Sequence, residues 1–121
     1  LLSTDMFTGW GVRTLAQSSV GYDPLSYHDG SVWPHDNALL AAGLMRYGHV
    51  EAAHRVITAQ LEAARSFGFR LPELFSGLGR EVSSQPVGVP SACVPQAWAA
   101  AAPLLFLRTL LRLRLPRRSP A

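Results

Sequence analysis

The feature that most constrains the fold is a succession of three helix-like segments that differ in how they distribute apolar side chains. The segment from 38 to 45 is apolar on every side, which is typical of a helix buried all round. In the segment from 50 to 66, apolar and charged residues fall on two separate faces. A third apolar segment covers 97 to 107. This order predicts an all-α fold of antiparallel hairpins, in which outer helices shield inner ones.

Local signals give the bounds of these helices. Pro34 suits a first turn, where its missing N–H costs no hydrogen bond, and Gly48 suits a C-terminal stop. Pro103 is expected to kink the third helix. The predicted helices cover about 34–47, 50–66 and 95–113. A loop from 68 to about 90 separates the last two, and loops of this length in compact domains are usually functional or disordered.

The basic pI of the sequence results from arginines near the end of the chain, and the residues before them carry more carboxylates than arginines. All eleven cationic residues are arginines, and five of them lie among the last fourteen residues: Arg108, Arg112, Arg114, Arg117 and Arg118. Upstream, six arginines face eight carboxylates, which leaves a net charge of −2. Because a nucleic-acid-binding protein spreads basic residues over one face, no nucleic-acid partner is expected.

The single cysteine, Cys93, precludes an internal disulfide, which fits a reducing, cytoplasmic setting. Cys93 is a candidate nucleophile, but its apolar neighbours favour a small buried residue.

Polar residues at positions 3 to 5 predict that no signal peptide opens the chain. The uncharged stretch from 82 to 107 contains four prolines, and its continuous apolar part is shorter than the ~20 residues a membrane span needs, so no membrane partner is expected.

A loop carboxylate is the first candidate for chemistry. Glu73 follows Pro72 and is flanked by apolar side chains, so its carboxylate can be positioned and partly desolvated, as a general base requires. The other interpretation is a loop glutamate that caps a turn or pairs with Arg70 or Arg80.

The aromatic segment from 27 to 37 is the second candidate. Trp33 offers a platform for the apolar face of a sugar ring. Polar neighbours offer hydrogen bonds to hydroxyls: His28, Asp29, His35, Asp36 and Asn37. Alternatively, Trp33 packs in the core while Asp36 and Asn37 serve the helix start. A metal site made by His28, His35 and Asp36 matches no strong zinc spacing, so neither a metal nor another cofactor is expected.

Trp10 and Arg13 form a third candidate set. Arg13 can bind a hydroxyl or orient a carboxylate, or it can satisfy backbone carbonyls in its loop. Trp98 is expected in the core, whereas His49 and His54 are expected at the surface of the second helix.

Four segments together resemble those of one known family: MFTGWGVRTL at 6–15, YHDGSVWPHDN at 27–37, LPELFSG at 71–77 and PQAWAA at 95–100. The family is the bacterial amylo-α-1,6-glucosidase, or glycogen-debranching-type, group of six-hairpin glycosidases. The resemblance runs in order from 1 to about 113. Asp29 departs from it, because the family pattern has asparagine there, and the ending from 112 to 121 has no family likeness.

The resemblance implies a fold, an activity and a site. It implies the C-terminal part of an (α/α)6 toroid, with residues 1–113 as a partial catalytic domain and 114–121 as a basic tail. It implies inverting hydrolysis of α-glucosidic links in glycogen-like glucans, α-1,6 links above all. Glu73 is the implied general base, and the general acid lies upstream of Leu1. The expected substrate-binding residues are Trp10, Arg13, Tyr27, His28, Asp29, Gly30 and Trp33.

Two alternatives stay open. One is a non-catalytic carbohydrate-binding or interaction fragment. The other is a related toroid enzyme, such as an α-glucosidase or a mannosylglycerate-type hydrolase. The expected partners of the enzyme are an α-glucan and the rest of the toroid, and the chain alone is expected to be inactive.

Overall fold

A computed structural model describes residues 1–113 of the chain, so the predicted basic tail at 114–121 lies outside the described residues. Three α-helices occur in this part: α1 (Pro34–Arg46), α2 (Val50–Ser66) and α3 (Ala97–Leu110). Residues 1–113 contain isolated antiparallel bridges but no strand. The all-α prediction is confirmed, and the arrangement agrees with part of a helical-hairpin toroid.

The α1–α2 hairpin follows the local signals of the sequence. Pro34 lies in the first turn of α1, and Gly48 takes a φ of +84° in the three-residue connection, a conformation that glycine adopts without strain. α2 has the predicted bounds, and α1 ends one residue before Tyr47. α1 lies between the other two helices and contacts both extensively, whereas α2 and α3 touch only slightly.

α3 is shorter than predicted at both ends. Gln96 has extended backbone angles, and its side-chain Oε1 accepts a hydrogen bond from the N–H of Ala99 at 3.0 Å, so the helix begins at Ala97. At the other end, Arg112 takes a φ of +52°, which stops helical geometry after Leu110. Pro103 lies inside α3, and the helix continues beyond it to Leu110.

The core joins the helices to the N-terminal loop. Its buried apolar members include Phe7, Val12, Ala38, Ala41, Val56, Ile57 and Phe106. Asn37 is also buried, and its amide fixes the loop onto α1. Its Oδ1 accepts from the N–H of Val12 at 2.8 Å, while Nδ2 donates to the carbonyls of Val12 and Trp33 at 3.1 and 2.9 Å.

Three burial predictions were wrong. α1 is not covered all round, since Leu39 is exposed, because α2 and α3 shield only part of its circumference. Trp98 is 46% exposed and stacks one ring face on His35, because it lies outside the buried face of α3. Cys93 is exposed, since it lies in the loop before α3. The solvated face predicted for α2, with His54 on it and His49 just before it, is confirmed.

Four isolated bridges tie the loops together near the start of α1: Phe7 to Val12, Arg13 to Val32, Val32 to Phe75, and Phe75 to Gly88. Val32 and Phe75 exchange two backbone hydrogen bonds of 2.9 and 3.0 Å, and both side chains are fully buried. The long loop is therefore fixed beside the aromatic segment, and this brings Glu73 close to Tyr27. No helix within residues 1–113 combines the length and apolarity needed to cross a membrane.

Candidate active site

The carboxylate of Glu73 is held at both oxygens. Glu73 is 6% exposed, its Oε1 accepts a hydrogen bond from the hydroxyl of Tyr27, and its Oε2 accepts one from the backbone N–H of Cys93 at 3.0 Å. The backbone N–H of Glu73 donates in return to the carbonyl of Cys93 at 3.0 Å. None of these donors is an arginine, and Arg80 pairs instead with Glu62. The site is therefore a fixed carboxylate in a loop and not an ion pair.

These hydrogen bonds set the protonation states at the site. The Tyr27 hydroxyl, and after it the Cys93 N–H, lowers the pKa of Glu73 below its usual 4.5. The same tyrosine–carboxylate bond raises the pKa of Tyr27 from 10.0 to about 12. At neutral pH the pair is thus a carboxylate anion and a neutral phenol that donates to it.

An aromatic cluster surrounds this pair. Tyr27 meets Trp33 edge-on, with ring centroids 5.0 Å apart, and the His28 ring lies parallel to Trp33 at 5.5 Å. The indole N–H of Trp33 donates to the Tyr27 carbonyl and to Ser31 Oγ, both at 3.1 Å. Trp33 is buried against Leu74, whereas Tyr27 and His28 are exposed. The surface offered to a ligand therefore consists of Tyr27 and His28, with Trp33 behind them.

Trp10 and Arg13 make other contacts. Trp10 is buried in a cluster with Val32 and Phe75, and the guanidinium of Arg80 lies 3.7 Å from its ring centroid. Arg13 is buried and donates to three backbone carbonyls: Gly77 at 2.8 Å, Thr4 at 2.8 Å and Asp5 at 3.2 Å. These contacts agree with the second interpretation of Arg13, in which its side chain satisfies backbone carbonyls in its loop.

Gly30 and Asp29 shape the loop that carries the aromatic residues. Gly30 has a φ of +147°, and a Cβ there would come within 2.6 Å of the Tyr22 ring, so the position requires glycine. Asp29 is exposed and accepts from Ser26 Oγ at 3.2 Å through its Oδ2. Both residues fix the backbone next to His28.

The role of the Cys93 backbone N–H could not be predicted from the sequence, because any residue except proline supplies that group. A groove of about 630 Å³ lies along α2, with Arg55 and Arg80 in its lining, and Glu73 is not among the residues that line it. No group of three or more His, Cys, Asp or Glu side chains within residues 1–113 is arranged to hold a metal ion.

The sequence matches the family model described as the mannosylglycerate hydrolase MGH1-like glycoside hydrolase domain over residues 1–70. The match includes the whole aromatic segment and ends three residues before Glu73. The family is one of six-hairpin glycosidases, which supports the broader class named from the motifs but not amylo-α-1,6-glucosidase in particular. Since more than half of the chain is matched, the chain belongs to the MGH1-like glycoside hydrolase domain family.

Proposed function

We propose that residues 1–113 form part of the catalytic domain of an inverting glycoside hydrolase in which Glu73 is the general base. Membership of a glycoside hydrolase family supports the reaction class. The observation that carries the role of Glu73 is its carboxylate, fixed at both oxygens beside the exposed rings of Tyr27 and His28. Another part of the toroid supplies the general acid.

The ionised state of Glu73 suits this role. In an inverting reaction a carboxylic acid protonates the leaving oxygen, while a carboxylate removes a proton from the water that attacks the opposite face of the sugar. The two carboxyl groups stand roughly 6.5–9.5 Å apart to leave room for that water. Because its pKa is lowered, Glu73 is the deprotonated partner of such a pair at neutral pH.

The exposed aromatic pair supports a sugar subsite. Tyr27 is 37% exposed, and His28 lies beside it with its imidazole nitrogens able to bind hydroxyls. Trp33 supports both rings from behind and is fixed by two hydrogen bonds. We assign Asp29, Gly30, Trp10 and Arg13 to shaping and anchoring the loops of this subsite.

For the substrate, we propose an α-glucosidic link, α-1,6 in glycogen-like glucans, from the resemblance of the four motifs. A second candidate is the hydrolysis of a mannosylglycerate-type glycoside. The match of residues 1–70 to the mannosylglycerate hydrolase MGH1-like domain favours it. Both substrates present a pyranose ring to the same subsite, and they differ in the configuration at C2 of that ring and in the group linked to it.

The proposal is tested with a polypeptide in which this chain forms part of a complete toroid. This polypeptide is assayed on an α-1,6-linked glucan, on other α-glucosides and on mannosylglycerate, with NMR detection of the first anomer released. We expect the β-anomer from an α-link, and we expect Glu73→Gln to lower kcat by roughly 10²–10⁴-fold.

The matched control is Glu81→Gln, which neutralises an exposed carboxylate in the same loop and is expected to leave kcat unchanged. Full activity of Glu73→Gln, or release of the α-anomer, contradicts the proposal. Binding of carbohydrate without turnover of any glycoside favours the non-catalytic alternative.

A further inference from the structure

We propose that Tyr27 is a positioning residue for Glu73, and that its hydroxyl acts with the backbone N–H of Cys93 to hold the carboxylate in the orientation needed to accept a proton from water. This inference rests on the proposed role of Glu73 as general base. It gives Tyr27 a role beyond lining the sugar subsite.

The two donors come from different parts of the chain. Tyr27 lies 46 residues before Glu73, and Cys93 lies 20 residues after it. They bind different oxygens, so the carboxylate cannot rotate about its terminal bond without breaking one of the two hydrogen bonds. The orientation of Glu73 is thus set by two loops at once.

Tyr27 is itself fixed in place. Its carbonyl accepts hydrogen bonds from Ser31 Oγ at 2.8 Å and from the indole N–H of Trp33 at 3.1 Å, and its ring rests edge-on against Trp33. The Val32–Phe75 bridge connects this segment to the loop that carries Glu73. A hydroxyl held in this way supplies a directed donor to the carboxylate.

The arrangement leaves the carboxylate able to act as a base. An ionised carboxylate has about four lone-pair sites on its two oxygens. Tyr27 and the Cys93 N–H use one site on each oxygen, so further sites remain for the attacking water. The titratable side chains that influence the ionisation of Glu73 are Tyr27, Cys93 and His28. Of these, Tyr27 has the largest influence on whether Glu73 is ionised.

Tyr27→Phe separates positioning from sugar binding, because it removes the hydroxyl and keeps the ring. In the complete enzyme we expect the acidic limb of the kcat/KM profile to move to higher pH, since Glu73 loses the donor that favours its anion. We also expect kcat at the plateau to fall by up to about 100-fold with little change in KM. If Tyr27 only contacted sugar, its replacement would instead raise KM and leave the acidic limb in place.

A second measurement does not need turnover. A ¹³C NMR titration of the Glu73 carboxyl, assigned by its loss in Glu73→Gln, is expected to show a higher pKa in Tyr27→Phe than in the wild type. The controls are Tyr47→Phe, at a residue that is 79% exposed, and Tyr22→Phe, which removes a hydroxyl that donates to the Gly77 carbonyl at 3.2 Å. Neither control is expected to move the Glu73 titration.

An unchanged Glu73 titration in Tyr27→Phe overturns the positioning role, as does an unmoved acidic limb. Full activity of Glu73→Gln overturns the proposed base instead, whatever the titration shows. The two failures are therefore distinguishable.

Discussion

At the scale of single residues, the carboxylate of Glu73 links the candidate site to the stability of the fold. Its pKa is lowered from 4.5 in the folded chain, first by the Tyr27 hydroxyl and then by the Cys93 N–H. A group with a depressed folded pKa stabilises the fold fully above its unfolded pKa, and this stabilisation is lost as the pH falls through the folded pKa. The acid dependence of unfolding therefore reports on the same hydrogen bonds that the proposed mechanism uses.

We predict that the difference in free energy of unfolding between the wild type and Glu73→Gln is constant around neutral pH and shrinks as the pH falls through 4.5 and below. Urea denaturation followed by circular dichroism at a series of pH values measures this difference. Glu81→Gln is the control, since its exposed carboxylate makes no hydrogen bond of this kind. A difference that does not change between neutral and acidic pH contradicts the prediction.

The sequence identified the residue types of the site but not their contacts. Glu73 and the aromatic segment stand out because of chemistry and local context. The bond between Tyr27 and Glu73 spans 46 residues and depends on how two loops meet, which no local pattern encodes. Arg13 shows the same limit, because a buried guanidinium bonded to backbone carbonyls and one that binds a sugar have identical sequence signals.

At the scale of elements, the prediction was most accurate where local signals and periodicity agreed. Pro34, Gly48 and the two-faced pattern of α2 gave the bounds of the hairpin within one residue. The predicted start of α3 at about residue 95 was wrong, because Gln96 is extended and caps the helix through its side chain. Glutamine is not among the residues strongly preferred at this position, so propensity did not reveal the cap.

We predict that Gln96→Ala lowers the free energy of unfolding by about 1 kcal/mol, because the N–H of Ala99 loses its side-chain acceptor. Chemical denaturation monitored by helical circular dichroism measures the change. The matched control is Gln85→Ala, in an exposed loop position where only the backbone carbonyl accepts a hydrogen bond. Equal stabilities of the two variants would show that the cap does not stabilise α3.

At the scale of the whole molecule, the helices leave apolar surface uncovered. The buried face of α3 consists of Ala99, Ala102, Phe106 and Thr109, whereas Leu104, Leu107 and Leu111 lie exposed on another face. Leu39 on α1 is exposed as well. An exposed apolar stripe on a helix marks a surface that another element covers, and in the proposed toroid further helices occupy that place.

We predict that the chain on its own associates as its concentration rises, because water-exposed leucines of α3 gain by burial against another copy. Sedimentation velocity over a wide range of concentrations measures the association. Replacing Leu104 and Leu107, which are 72% and 55% exposed, by glutamine is expected to reduce it without loss of helical signal. The control is Leu61→Gln on the solvated face of α2, where a single exposed leucine stands among charged residues. A monomer that melts sharply and reversibly at a temperature independent of concentration would mean that this stripe does not drive association and needs no helical neighbour to cover it.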